Sequence, residues 1–159
     1  MLNHNESLTY VNYMLAEHRR LHRLLRLARQ SIAADNHGED WTERVVKLMR
    51  DLRDELRCHF AQEEEGGCLD QAVSFQPRLS PDMAHVQQDH PRLLLAIDRL
   101  IAQAQDCRND LADRMAIEVA FDELCRDLHA HEAAENDILR KGFGVDLEGN
   151  GVAATASGA

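Results

Sequence analysis

DWTERVVKLMRDLRDELRCHFAQEEE, residues 40–65, is the stretch on which the fold turns. Val45, Leu48, Met49, Leu52, Leu56 and Phe60 recur at the spacing of an amphipathic helix with one apolar stripe. The run opens near Asp40-Trp41-Thr42, and Gly66-Gly67 ends it or kinks it. At about 100° per residue, His59 shares the face of Leu48 and Leu52, and Glu63 lies about one turn further along that face. The helix that builds the core therefore also turns an imidazole and a carboxylate into it.

Three further runs have the same period. Leu8, Val11, Met14, Leu15, Leu21, Leu25 and Ile32 mark a first helix that stops in Ala34-Asp35-Asn36-His37-Gly38. After an irregular connection through Phe75-Gln76-Pro77, Ser80-Pro81 reads as an N-cap and a first-turn proline. They open a third helix through Met83, Val86, Leu93, Leu94, Ile97, Leu100 and Ile101. Pro91 has no N–H for the carbonyl four residues back, so the helix either kinks there or begins regular winding there. The fourth runs from about Asn109-Asp110 through Met115, Ile117, Phe121, Leu124, Leu128, Ile138 and Leu139, with Gly142 as its stop. The expected fold is all-α, one four-helix domain over residues 1–148, with a disordered tail of small residues at 149–159.

Bulk properties narrow the function. A net charge of -10, from 28 acidic against 18 basic residues, argues against nucleic acid or an anionic membrane as partner. Only 4% of residues are aromatic, which favours helices over strands. The first residues lack the basic start and apolar run of an export signal, and charged residues interrupt every apolar segment. A soluble, cytoplasmic protein is expected. Cys58, Cys68, Cys107 and Cys125 form no C-x-x-C pair and read as free thiols, with Cys68, beside two glycines, the one that could be exposed.

Helical phase separates the histidines. His18 sits mid-stripe with Val11, Met14 and Leu25, and His90 is in phase with Met83, Val86, Leu94, Ile97 and Ile101. His131 and Glu135 repeat the H-x-x-x-E spacing of His59 and Glu63, in phase with Ile117, Leu124 and Ile138. His129 points to roughly the opposite side, His85 falls off the stripe, and Glu64 is turned about 100° from Glu63 toward solvent. Any one such histidine is ordinarily a satisfied core residue. Burying Glu63 and Glu135 without partners, however, costs several kcal/mol each, and no inward Lys or Arg is in phase to pair them. A bound cation resolves the difficulty. Imidazole with carboxylate suits iron, manganese or zinc, and two carboxylates on different helices can bridge a pair of ions. The ferritin-like plan needs two E-x-x-H motifs, and none occurs.

The order His18, then HFAQEE at 59–64, then His90, then HEAAE at 131–135 resembles the hemerythrin, or HHE cation-binding, domain across roughly Leu8 to Phe143. The resemblance implies an up-down-up-down bundle around two iron ions, a non-haem di-iron centre. In it Glu63 and Glu135 would bridge the irons and His18, His59, His90 and His131 would be terminal ligands. One difference stands out: oxygen-carrying hemerythrins have a second histidine four residues before the one matched by His90, and here that residue is Val86. His22, one turn beyond His18, is the candidate replacement, with His85 a weaker one. The implied function is binding, sensing, storage or scavenging of dioxygen or a related small molecule such as nitric oxide or peroxide. The alternatives are a di-iron enzyme acting on such molecules, an iron donor to damaged iron–sulfur clusters, or a helical interaction module holding zinc or no metal.

Overall fold

In the computed structural model, which describes residues 4–34, 40–65, 67–108 and 110–144, four long helices carry the four apolar stripes. They are α1 (His4–Ala33), α2 (Asp40–Glu64), α4 (Ser80–Gln105) and α5 (Leu111–Phe143); a short α3 (Cys68–Phe75) and a 3-10 turn (Pro77–Leu79) link α2 to α4. Among the described residues there is no strand. α1 packs on α2 and α5, and α4 packs on the same two, so the long helices close a ring. The expected tail at 149–159, the boundary at 148 and most of the helix-one stop lie outside the described residues.

Local chemistry sets the helix ends. Asp110 is the N-cap of α5, its carboxylate accepting the Asp113 N–H at 2.8 Å. Asp110→Ala is expected to cost about 1 kcal/mol, read as a lowered midpoint in thermal unfolding. At the other end the stop is Gly144, not Gly142. Gly144 takes the left-handed conformation (φ 64°) beyond Phe143, and Arg140 and Lys141 stand in the last turn, where cations suit the helix dipole. Gly142 is instead buried within that turn, against α3. Ser80 is likewise not a cap: it is the first helical residue, and its hydroxyl donates to the Pro77 carbonyl at 2.8 Å, because the preceding 3-10 turn presents that acceptor. α4 runs unbroken through Pro91, which lies on the exposed face and leaves only the Gln87 carbonyl without its helical donor. Met115 is exposed instead of joining the α5 stripe.

The core divides in two. A large cluster holds Leu21, Leu25, Trp41, Met49, Leu52, Leu56, Phe60, Leu93, Ile97, Phe121 and Leu128. A smaller one holds Val11, Met14, Leu79, Val86, Ile138 and Leu139, closed by Cys68, Leu69 and Ala72 of α3. On α1, α4 and α5 the chain passes from one cluster to the other through a polar residue: His18, His90, and the pair His131 and Glu135. The connection read as irregular is therefore a helix that seals one end of the bundle. Its apolar residues at 68, 69, 72 and 73 have helical spacing, but over a length too short to separate from a loop.

Candidate metal centre

The polar layer between the two cores contains His18, His59, Glu63, His90, His131 and Glu135, every one at 4% exposure or less. All six are almost wholly withdrawn from bulk solvent. His59 and Glu63 sit one turn apart on α2, and His131 and Glu135 one turn apart on α5. α1 and α4 supply one imidazole each.

The contacts follow a pattern that composition does not require. Glu63 Oε1 lies 3.0 Å from His59 Nε2, while its Oε2 lies 3.1 Å from His90 Nε2. Glu135 Oε2 lies 3.0 Å from His18 Nε2, while its Oε1 lies 2.7 Å from His131 Nε2. Each carboxylate thus divides its two oxygens between two histidines on different helices. Two overlapping sets of convergent donors result: His18, His59, Glu63 and Glu135, and Glu63, His90, His131 and Glu135, with the atoms of each set within 4.8 Å of one another. Despite the short distances, all four Nε2 atoms and all four carboxylate oxygens lack a hydrogen bond of acceptable geometry. Clustered, mutually unpaired donor atoms suit cation ligands, whereas polar groups paired with each other would align.

Electrostatics agree with this crowding. Burial works against a charged imidazole at His59, but Glu63, Glu135 and Glu132 outweigh it and raise its proton affinity. At His90 burial is again opposed, here by Glu63, Glu64 and Glu135, with the same net direction. Glu135 would be pushed up by burial, yet His131 and His18 hold it far below the ordinary carboxylate range. Two buried carboxylates among four imidazoles call for positive charge from protons or from metal.

A surrounding layer orients the ligands. Glu64, expected in solvent, is half exposed, but its Oε1 accepts from His90 Nδ1 at 2.7 Å. That bond assigns the ring proton to Nδ1 and leaves the Nε2 lone pair aimed at Glu63. Asp89 Oδ2 stands 3.6 Å from His131 Nδ1, beyond hydrogen-bond reach, and Phe60 stacks on the His90 ring with centroids 4.1 Å apart and planes 6° from parallel. No periodicity marks Glu64 or Asp89, because each depends on the neighbouring helix.

His22 is not brought to this cluster. Its side chain is 46% exposed and its Nε2 meets Glu132 Oε2 at 2.5 Å, since one turn beyond His18 the α1 face reaches α5 above the polar layer. His85 is exposed, as is His129. No disulfide joins the four cysteines; Cys68 is buried, with its thiol pushed up to about 12 by burial and by Glu63.

Residues 9–66, spanning most of α1 and all of α2, match the family model described as the Hemerythrin HHE cation binding domain. Comparisons with curated proteins and with solved structures gave no match. The match and the buried His/Glu clusters together describe a site suited to a metal cation. Among the described residues no helix is long and apolar enough to cross a membrane.

Proposed function

Taking the hemerythrin HHE match as premise, we propose that the chain is a non-haem di-iron protein that binds dioxygen or a related small molecule. The observation that carries this reading is the division of each carboxylate's oxygens between two imidazole pairs. His18 and His59 would hold one ion and His90 and His131 the other, with Glu63 and Glu135 common to both donor sets. Iron held there would supply redox chemistry and a Lewis-acidic point for a small molecule.

The chain's own part is positioning and exclusion of water. Glu64 fixes the His90 tautomer, Phe60 fixes the ring plane, and the two apolar clusters keep solvent from the carboxylates. Glu64→Ala is expected to weaken cation binding about 10- to 100-fold by freeing the His90 ring, measured by competition with a chelator; unchanged affinity would remove Glu64 from the role.

Elemental analysis of native protein, with absorption spectra taken anaerobically and then in air, tests the reading. About two irons per chain and a spectrum that changes in air are expected. Zinc or no metal after iron-replete expression would favour the helical interaction module. Catalytic turnover of peroxide or nitric oxide by iron-loaded protein, or transfer of its iron to an iron–sulfur protein, would move the reading from binding to enzyme or iron donor.

A further inference from the structure

One cavity reaches the polar layer. It measures about 320 Å³, lies between α1, α2 and the start of α3, and has His59 and Glu63 in its wall. Tyr10 and Tyr13, the two tyrosines of the chain, line it while remaining about half in solvent, at 45% and 53% exposure. Tyr13 reaches from α1 to α2, its hydroxyl donating to Gln62 Oε1 at 3.2 Å. Met14 and Cys68, both buried, give the inner wall an apolar surface.

We propose that this cavity binds an uncharged aromatic alcohol of about phenol's size beside His59 and Glu63. Size is the first reason. At about 320 Å³ the cavity has room for a six-membered ring with its hydroxyl, at the lower end of the range of sites for small organic molecules. Charge is the second. Glu17 and Glu65 share the wall, and these two carboxylates repel an anion while offering acceptors to a hydroxyl donor; both oxygens of Glu63 already face histidines. The neighbouring ions of the centre disfavour an organic cation, the one step that rests on the di-iron reading. Surface chemistry is the third, since two phenol rings and a methionine sulfur offer faces and edges to another aromatic ring.

The test is a calorimetric titration of the full chain, metal-free and metal-loaded, with phenol and with benzoate. Phenol should saturate at one per chain and benzoate should bind at least about tenfold more weakly. Phenol ring protons should show NMR cross-relaxation to the Met14 methyl group. Gln62→Trp, which fills the opening, should weaken phenol at least about tenfold, with folding checked by unchanged helical circular dichroism. Absence of saturation, equal binding of benzoate, or full phenol affinity in Gln62→Trp would overturn the proposal. Phenol bound without iron in the native protein would leave the cavity standing and remove the di-iron reading; two irons without phenol binding would remove the cavity alone.

Discussion

Glu135→Ala is expected to strip the purified protein of metal, from two ions to none by elemental analysis, while His129→Ala keeps both. Glu63 and Glu135 are the only side chains shared by the two donor sets, so losing one carboxylate removes a donor from each ion at once. It also leaves His18 and His131, whose Nε2 atoms face the two Glu135 oxygens at 3.0 and 2.7 Å, buried without their nearest carboxylate. His59→Ala removes a donor from one set only, and its ion is expected to be lost first. His129 is exposed and meets the His22 ring, not the cluster, so its loss should not register. Helical circular dichroism of the variants separates lost ligands from lost fold. Equal metal content in all three would sink the ligand assignment, and a Glu135→Ala protein that kept both ions would remove the bridge.

What could be read from the sequence is what helical phase can carry. The α1, α2 and α5 stripes and the inward facing of His18, His59, Glu63, His90, His131 and Glu135 follow from a 3.6-residue period, which refers each residue only to its own helix. Phase cannot say where along a neighbouring helix a side chain arrives. His22 has nearly the phase of His18, yet one turn of rise takes it out of the polar layer to Glu132. Glu64 has the wrong phase for the core, yet its long side chain returns to His90 on α4. The short α3 was hidden for a different reason: eight residues give too little periodicity to show against glycines on one side and a Phe-Gln-Pro stretch on the other. Gly142 could be marked as a stop or as a close contact, and nothing local decides between them.

Gly142→Ala is therefore the sharper test of how the bundle is closed. In most helix interiors this exchange stabilises by roughly 1 kcal/mol, because alanine loses less backbone freedom on folding. Here the opposite sign is expected. A Cβ on Gly142 would lie 2.4 Å from Ala72 Cβ, 2.7 Å from its Cα and 2.9 Å from its carbonyl oxygen. None of these atoms sits at the end of a flexible side chain, so α3 as a whole must move off α5. Overpacking of this kind costs about 3 kcal/mol, which for a chain of this size lowers the melting temperature by roughly 10 °C. Ala72→Gly in the same chain would relieve the nearest contact but not the two backbone ones, and should restore only part of the loss. Gly144→Ala is a useful contrast, since nothing lies within 4 Å of its added Cβ and the cost there, about 1 kcal/mol, comes from the left-handed backbone alone. Because Cys68, Leu69 and Ala72 seal the end of the bundle beside the polar layer, displacing α3 should also admit water toward Glu63 and speed loss of bound metal to a chelator. A Gly142→Ala protein as stable as its parent would mean that α3 does not rest on α5 at this distance, and the sealed end would have to be redrawn.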